Sequence, residues 1–268
     1  MYLCIDVGGT KTLIALVNRK GKILHSVKFP TNIDQNAFYD YLSQQIRINF
    51  VLTEVVAFGV AMPGIVKDNC VTWLGNLPWK RFDIARKLEK DFGKPAFVEN
   101  DGNLAAIAEA RRGYNKCVYF TFSTGIGGGV TRDNKLTKTY HDLEPGHNKF
   151  TYHGETAEWE DLAAASAINR IYGTEHASDI KDKATWNEIA ERIALGLAPQ
   201  IARIKPDCVI FGGPLGLQLS RYRRTLRKIL KDQLPKNVVM PRLTKARHGS
   251  FSVIQGCYLY AKAHQKAR

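Results

Sequence analysis

Acidic residues that end predicted strands are the first candidates for chemistry in this sequence. Asp6 is the penultimate residue of the apolar segment 2–7, and Gly8 and Gly9 follow that segment. A carboxylate at this position could hold magnesium through water beside a phosphate group, while the glycine amides cradle that phosphate. The alternative is an ordinary hairpin turn in which the aspartate bonds its own backbone. The segment alone leaves both interpretations open.

The second acidic candidate lies in the segment VENDGNLAAIAEA, residues 98–110. Asn100 and Asp101 stand where a predicted strand over 95–99 meets a predicted helix over 101–112. Asparagine and aspartate are favoured as helix N-caps, which would explain both residues without any chemistry. The same exposed position would also allow Asp101 to act as a general base toward a substrate hydroxyl, a role worth roughly 10²–10⁴-fold in rate.

Two further glycine-rich turns follow predicted strands, at residues 124–129 (TGIGGG) and at Gly212-Gly213. Together with the turn after Asp6, they suggest backbone N–H groups that converge on a polyanion such as a nucleoside triphosphate. The two standard nucleotide motifs do not fit. The sequence contains no G-x-x-x-x-G-K-[ST], and GIGGGV has Val130 where a dinucleotide-binding loop needs glycine or alanine.

Polar side chains that belong to no apolar face form a third group of candidates. Glu144 and His147 flank Pro-Gly in the segment DLEPGHNKF, so both project from a tight loop. Two polar groups on one loop suit the hydroxyls of a polyol. Glu160 opens a helix predicted near 157–171, where its charge also favours the N-terminal turn of that helix.

Length and composition set limits on the class of protein. The 268 residues suffice for about two domains of ~100–200 residues each, and 44% hydrophobic and 24% charged residues are ordinary for a globular core. No segment approaches the ~18 apolar residues of a membrane helix, and an apolar strand begins at residue 2 where a signal peptide would lie. We therefore expect a cytoplasmic protein without a membrane partner. The five cysteines form no C-x-x-C pair, which predicts buried free thiols.

The net charge of +14 favours anionic substrates or polyanionic partners. Basic residues crowd the stretch 221–247, in which apolar residues from Leu219 to Leu230 recur at helical spacing. This pattern predicts an amphipathic helix whose charges form the solvated face. No aromatic or glycine-rich binding motif lies between the charges, so we expect no nucleic-acid partner.

Strands alternate with helices in both halves of the chain, which predicts two α/β domains that face each other across a cleft. The first would comprise residues 1–113, completed by a C-terminal helix over 251–268, and the second residues 114–250. Both halves open with a strand, a glycine turn, a second strand and a tight turn. This similarity indicates an internal duplication of architecture.

The segments DVGGTKT, ENDGNLAAIAEA, TGIGGGV, EPGH and EWEDLAAASAI, in this order and spacing, resemble the ROK family of sugar kinases and repressors, within the actin/hexokinase/Hsp70 ATPase superfamily. The likeness runs from residue 3 to about residue 260. It implies two actin-like, ribonuclease H-like ATPase domains. It also implies phosphorylation of a hexose or N-acylhexosamine by ATP and Mg²⁺, glucokinase-like at the 6-hydroxyl. Because the family often dimerises, a homodimer is one expectation for the oligomeric state, which the sequence leaves undecided.

The resemblance implies roles for individual residues. Asp101 matches the family's catalytic base and also contacts the sugar, Asn100 matches a sugar-hydroxyl ligand, and Asp6 matches the carboxylate that binds magnesium through water. The remaining matches are the sugar ligands Glu144, His147 and Glu160, the first phosphate loop Gly8, Gly9, Thr10 and Lys11, the second phosphate loop Thr124, Gly125 and Gly127, and the adenosine-side turn of the ATP site, Gly212 and Gly213.

The sequence departs from the family in two respects. Most members follow Gly-His with a cysteine-rich segment that, together with the histidine, binds a structural zinc, whereas the stretch NKFTYHGETAEWE contains no cysteine. We predict no structural zinc, because one or two histidines cannot fill a four-ligand site. Another group must then orient His147, for which His153 is a candidate. The repressors carry a DNA-reading helix-turn-helix, which we do not expect here because the phosphate strand begins at residue 2.

Three alternative functions follow from the same residues. A non-catalytic sugar sensor would retain the ligands without turnover, but the intact Asn100-Asp101 pair argues against it. An ATPase or chaperone-like relative would lack a sugar, which Glu144, His147 and Glu160 disfavour. A polyphosphate-dependent glucokinase would use another phosphoryl donor, as the basic surplus suggests. Glucose, N-acetylglucosamine, N-acetylmannosamine, fructose and allose kinases share these motifs, so the sequence does not identify the sugar.

Overall fold

The computed structural model describes residues 1–74 and 77–266. The chain divides into two compact units. The first comprises Met1–Ala108 and the segment that begins at Val253, and the second comprises Glu109–Ser252. Each unit contains a five-stranded sheet together with helices, which confirms the predicted α/β class. Residues 267 and 268 of the predicted terminal helix lie outside the described residues.

Strands and helices alternate along most of the chain. The strands are β1 (Tyr2–Val7), β2 (Lys11–Val17), β3 (Ile23–Pro30), β4 (Ala57–Met62), β5 (Ile65–Lys67), β6 (Cys70–Trp73), β7 (Ala96–Asn100), β8 (Lys116–Phe122), β9 (Ile126–Arg132), β10 (Lys135–Leu136), β11 (Lys149–Tyr152), β12 (Glu155–Glu158), β13 (Cys208–Gly212) and β14 (Arg242–Lys245). The helices are α1 (Gln35–Asn49), α2 (Ile84–Phe92), α3 (Asp101–Glu109), α4 (Trp159–Ala163), α5 (Ala165–Tyr172), α6 (Lys183–Ile204), α7 (Gly213–Gly216), α8 (Leu219–Gln233) and α9 (Ser252–Gln265).

The sheet of the first unit has the strand order β3-β2-β1-β4-β7. β1 is antiparallel to β2 and parallel to β4, which is in turn parallel to β7. Asp6 in β1 pairs with Ala61, and the next residue of β4, Met62, pairs with Asn100 in β7. The carboxyl ends of these parallel strands form one edge of the sheet, the edge at which ligands of such sheets bind. Asp6 and the Asn100-Asp101 pair therefore lie at the same edge.

Successive residues of β1 face two different cores, as the two-residue period of a strand requires. Leu3, Ile5 and Val7 pack in a cluster with residues of α1 and α2. Tyr2 and Cys4 pack in a second cluster, which includes residues of α9. A strand covered on both faces is apolar nearly throughout, and this explains why β1 was recognisable from the sequence.

The sheet of the second unit has the order β10-β9-β8-β13-β14. β8 is antiparallel to β9 and parallel to β13, which is parallel to β14. In both sheets, therefore, the first strand forms a hairpin with the next one and pairs in parallel with a later one, as the predicted duplication requires. The core of this unit includes Trp159, which is fully buried and makes edge-on ring contacts with Phe120 and Phe122.

Several elements differ from the sequence prediction, among them α3, the helix after β12 and the hairpin β11–β12. α3 ends at Glu109 and not at residue 112, and the Glu109 carboxylate accepts hydrogen bonds from the backbone of Arg247 and His248. The helix predicted over 157–171 is two helices, because Ala164 between them has an extended ψ of 157°. The hairpin β11–β12 was not predicted, since few of its residues are apolar.

The basic helix α8 has the predicted amphipathic character. Its buried face comprises Leu219, Tyr222, Leu226 and Leu230, while the arginines and lysines between them lie on the exposed side. Among residues 1–74 and 77–266, none of the helices has both the length and the apolar character required to cross a membrane.

Candidate active site

Two carboxylates with perturbed acidity lie at the carboxyl edge of the first sheet. Burial raises the pKa of Asp101 to about 6, although a backbone N–H donor, that of Gly102 at 2.7 Å, opposes the shift. Burial also raises the pKa of Asp6 to about 7, as does the charge of Asp101, while Lys28 acts in the opposite direction. Both groups therefore exchange protons near neutral pH, which is the range in which a general base is effective.

Asn100 is fixed at the N-terminus of α3 by contacts at both ends of its amide. Its Oδ1 accepts a hydrogen bond from the backbone N–H of Asn103 at 3.0 Å, and its Nδ2 donates to the carbonyl of Gly64 at 2.8 Å. The residue is buried. The N-cap interpretation is thus realised for Asn100, and Asp101 follows as the first residue of the helix. The role of Asn100 as a sugar ligand stays a prediction.

Glu99, which we did not single out from the sequence, accepts hydrogen bonds from this turn. The residue is only 4% exposed. Its Oε1 accepts the backbone N–H of Asn100 at 2.7 Å and the Nδ2 of Asn103 at 3.1 Å. The available signal was an acidic residue near the end of an otherwise apolar strand. The contact holds the backbone that carries Asp101.

The first glycine loop is a tight turn between β1 and β2. The backbone N–H of Gly8 donates to the carbonyl of Lys11 at 3.0 Å, and a Cβ added at Gly8 would come within 2.9 Å of that oxygen. Thr31 clamps the loop, because its hydroxyl donates to the Gly8 carbonyl at 2.8 Å and its N–H donates to the Thr10 carbonyl at 3.0 Å. Gly9, Thr10 and Lys11 are exposed. The turn is therefore a hairpin that Thr31 fixes by hydrogen bonds, while the residues at its tip are exposed.

The second glycine loop, at Ser123–Gly125, is held by a serine of helix α5. The Ser123 N–H donates to the Gly125 carbonyl at 2.9 Å, and the Ser166 hydroxyl donates to the Thr124 carbonyl at 2.5 Å. Thr124 itself is exposed. Gly127 already belongs to strand β9, where it pairs with Thr121. A residue outside the loop, Ser166, thus fixes it by a hydrogen bond, as Thr31 fixes the first loop.

Glu160 connects this loop with the Pro-Gly-His turn. Its Oε2 accepts the backbone N–H of Ile126 at 3.2 Å. A Cβ added at Gly125 or at Gly146 would come within 2.5 Å of the same oxygen. The carboxylate therefore occupies space that only two glycines leave open, and it brings the residues predicted to bind sugar next to one of the predicted phosphate loops.

His147 lies at the end of a single helical turn, Pro145–His147, and its Nδ1 is 2.9 Å from Oε2 of Glu158. Burial lowers the pKa of this imidazole, but the hydrogen bond to Glu158 and the charges of Glu160, Glu158 and Glu144 outweigh burial, so the net shift is upward. Glu144 precedes the turn and lines a cavity of about 290 Å³ together with Arg203 and Asn148.

His153 does not take the place beside His147 that the sequence suggested. It lies in the turn that closes the hairpin β11–β12, in the left-handed region with φ of 50°, and its ring contacts Tyr152. The paired ends next to His147 are Lys149 and Glu158, at the opposite end of the same hairpin. The partner at Nδ1 of His147 is therefore Glu158, which sequence reasoning missed.

Gly212 and Gly213 follow strand β13. A Cβ added at Gly212 would overlap the ring of Tyr119, and Gly213 has φ of +73° against the backbone of Phe122. Close packing alone thus requires both glycines. Their predicted role on the adenosine side of the ATP site is therefore not needed to explain why both residues are glycine.

The carboxylate set of the first unit fits magnesium, because this hard cation takes oxygen ligands and retains several waters. Asp6 would hold the ion through one of those waters. In the second unit, His147, Glu158 and Glu160 each offer one ligand atom, and these atoms lie within 4.8 Å of one another. The direct contact of 2.9 Å between His147 and Glu158 is the length of a hydrogen bond.

Comparison with known proteins decides the family. A sequence model of the ROK family matches residues 2–264. The chain belongs to the ROK family. Among ROK relatives, the glucokinase of Streptomyces coelicolor is 30% identical over 86% of this chain and 87% of that protein. The fructokinase of Zymomonas mobilis is 28% identical over 80% of this chain and 79% of that protein.

A solved ROK structure matches the fold of this chain over nearly the whole length of both proteins. The ROK glucokinase of Streptomyces griseus, solved in complex with glucose and AMPPNP, superposes with a TM-score of 0.83 at 24% identity and covers 98% of this chain and 99% of that chain. The two five-stranded sheets of this ROK chain are therefore those of the actin-like ATPase fold, as the sequence predicted.

Proposed function

We propose that this ROK protein transfers the γ-phosphoryl group of ATP to the 6-hydroxyl of a hexose or N-acylhexosamine, with Asp101 as the general base. Membership of the family and the glucokinase and fructokinase relatives support a sugar phosphotransferase. The complex of a relative with AMPPNP, an analogue of ATP, supports ATP as the donor.

The position and acidity of Asp101 carry this proposal. The residue starts α3 at the carboxyl edge of the sheet, on a turn held by Asn100 and Glu99. Its pKa of about 6 leaves the carboxylate ionised at neutral pH, yet basic enough to accept a proton as the alcohol oxygen attacks phosphorus. The proton moves to the Asp101 carboxylate while the new oxygen–phosphorus bond forms and the bond to ADP breaks.

Asp6 is proposed to orient magnesium through water. Bound magnesium would neutralise charge on the phosphate oxygens of ATP, and oxygen donors such as Asp6 are what this cation prefers. With a pKa of about 7, Asp6 becomes ionised across the range in which the enzyme would work. Its carboxylate is then available as a hydrogen-bond acceptor for metal-bound water.

The glycine loops are proposed to bind the phosphate chain of ATP. Gly9, Thr10 and Lys11 are exposed, and Lys11 adds a positive charge. Thr31 fixes the first loop as Ser166 fixes the second, so their amides are preorganised before a phosphate binds. Preorganised donors need no rearrangement as negative charge develops in the transition state.

Sugar hydroxyls are the proposed ligands of Glu144, His147 and Glu160. Carboxylates accept hydrogen bonds from hydroxyl groups, and an imidazole can either donate or accept. A site built to pair with hydroxyls discriminates strongly against sugars that lack them, because its polar groups would be left unpaired. The identity of the sugar therefore depends on these three residues and their neighbours.

A coupled ADP-release assay on the purified full-length chain tests the function. Glucose, mannose, fructose, N-acetylglucosamine and N-acetylmannosamine are each supplied with ATP and Mg²⁺, and with polyphosphate in place of ATP. We expect sugar-dependent ADP release with at least one of these sugars, and ³¹P NMR of the product should show a 6-phosphate. Sugar binding by calorimetry without turnover would instead support the sensor function.

A further inference from the structure

The hairpin β11–β12 brings Glu158 back beside His147, although the two residues are 11 positions apart in the sequence. Antiparallel pairing joins Lys149 to Glu158 and Tyr152 to Glu155, and the turn at His153 and Gly154 closes the hairpin. The register thus places the last residue of β12 next to the turn that ends at His147.

The backbone on either side of this contact is held firmly. The N–H of Trp159, the residue after Glu158, donates to the carbonyl of Asn148, the residue after His147, at 2.8 Å. Trp159 is fully buried, and its indole N–H donates to the Arg192 carbonyl at 3.2 Å. The Glu158 and His147 side chains are each about a third exposed, at 35% and 33%, so the pair borders solvent while its backbone does not move freely.

The distance between the two side chains identifies the kind of contact. Zinc bound tetrahedrally at about 2.0–2.2 Å to nitrogen and oxygen would hold two ligand atoms roughly 3.3 Å apart. The measured separation of 2.9 Å between Nδ1 and Oε2 is shorter and matches a charge-assisted hydrogen bond. The carboxylate therefore contacts the imidazole directly.

We propose that Glu158 is the positioning residue of His147, fixing the orientation of the imidazole and keeping the proton on Nδ1 so that the ring can meet a sugar hydroxyl. The proposal rests on the proposed sugar-kinase function. A carboxylate that pairs with one ring nitrogen of a histidine determines both the tautomer and the ring orientation. No cysteine or metal is needed for this task.

The surrounding charges support the same role. Three carboxylates act on the imidazole: Glu158 from the hairpin, Glu160 from α4 and Glu144 from the loop before the turn. They raise the pKa of His147 against the effect of burial, and Glu158 is the one that makes the hydrogen bond. Removal of its charge should therefore lower the pKa of His147, while Glu160 and Glu144 keep part of the upward shift.

The test compares Glu158→Gln with Glu155→Gln, an exposed glutamate of the same strand. We expect Glu158→Gln to raise KM for the sugar by about 10-fold and to leave KM for ATP within about 2-fold, as loss of one charged hydrogen bond to a ligand-binding group would. Glu155→Gln should change neither constant. In a His147→Gln background, Glu158→Gln should have little further effect, because the imidazole that Glu158 orients is already absent.

A readout independent of activity is the ¹⁵N NMR titration of the His147 ring, assigned by the signal that disappears in His147→Gln. We expect a proton on Nδ1 in the neutral ring and a lower pKa in Glu158→Gln. Additive effects in the double variant, or an unchanged His147 titration, would overturn the proposal. So would stoichiometric zinc in the purified protein that is lost in Glu158→Gln. If the wild type phosphorylates no sugar, the proposed function fails by itself, and the titration still decides whether Glu158 sets the state of His147.

Discussion

The carboxylate of Glu160 and the backbone of Gly125 are in contact, and a Cβ at Gly125 would lie only 2.5 Å from the Oε2 of Glu160. The same oxygen accepts the N–H of Ile126, which begins strand β9. A residue predicted to bind sugar is therefore packed on the loop predicted to bind phosphate. We therefore expect a change at Gly125 to affect both predicted functions.

Gly125→Ala should reveal this dependence. The added methyl group must displace the Glu160 carboxylate, so we expect kcat/KM for the sugar to fall by about 10-fold or more, the scale expected when a ligand-binding group moves. Gly127→Ala, in strand β9, is the comparison, because its Cβ would be 3.4 Å from the Thr121 methyl, an ordinary contact that does not involve Glu160. Steady-state kinetics of both variants measure the difference, and equal losses would argue against a special role of Gly125.

Asp101→Asn should lower kcat/KM by at least about 10²-fold, since the variant has no base to accept the hydroxyl proton. Asp40→Asn, at an exposed position of α1, is the control and should have wild-type activity. Kinetics with saturating ATP measure both. Turnover of Asp101→Asn close to the wild-type rate would remove Asp101 from the mechanism.

The same variant should have a characteristic effect on stability. The pKa of Asp101 is about 6 in the folded protein and 3.8 ordinarily, so the folded state binds this proton more tightly than the unfolded state. Its contribution favours folding below pH about 4 and is lost as pH rises through about 6. Asp101→Asn should therefore be at least as stable as the wild type at pH 8 and should lose this advantage at pH 4.5. Thermal melts at the two pH values provide the measurement.

Magnesium dependence should report the ionisation of Asp6. Because the pKa of Asp6 is raised to about 7, we expect the Mg²⁺ concentration for half-maximal activity to increase as pH falls from 8 to 6. Lys28 lowers the pKa of Asp6, so Lys28→Gln should move this increase to higher pH. Lys22→Gln is the control at an exposed position of the same unit. Identical Mg²⁺ curves at pH 8 and pH 6 would exclude Asp6 as a magnesium-associated group.

Glu109 is predicted to stabilise the second unit. Its buried carboxylate accepts hydrogen bonds from Ser252 Oγ at 2.8 Å and from the backbone N–H groups of Arg247 at 2.7 Å and His248 at 2.8 Å. Glu109→Ala removes the shared acceptor of these three hydrogen bonds, which should cost about 3 kcal/mol in the free energy of unfolding. Urea denaturation measures this, with exposed Glu175→Ala as the control. A loss below about 0.5 kcal/mol, typical of surface positions, would contradict the prediction.

Some features of this protein could be predicted from the sequence because they depend on short-range patterns. The apolar run of β1 indicated a strand covered on both faces, and the spacing of Leu219, Tyr222 and Leu226 indicated the buried face of α8. The order of the glycine turns and of the Asn100-Asp101 pair, combined with the family resemblance, indicated the α/β class and the sugar-kinase family. These signals lie within a few residues of the elements they describe.

Contacts between distant segments could not be predicted in this way. The clamp of Thr31 on Gly8 joins residues 23 positions apart, and the pairing of Glu158 with His147 depends on the register of a hairpin that has little apolar alternation. Residue type made His153 the candidate partner of His147, but the turn places it at the far end of the hairpin. Residue type alone carries no information about that register.

The sequence by itself determined which residues are available: the carboxylates, the glycine turns, the histidine and the absence of cysteines near it. Only the tertiary structure decided which of them act on one another. Strand order brings Asp6 and Asp101 to one edge of the sheet, where burial and mutual repulsion raise the pKa of Asp6. The physical reason is that electrostatic and hydrogen-bond energies depend on distances in space, which pairing of strands far apart in the chain sets.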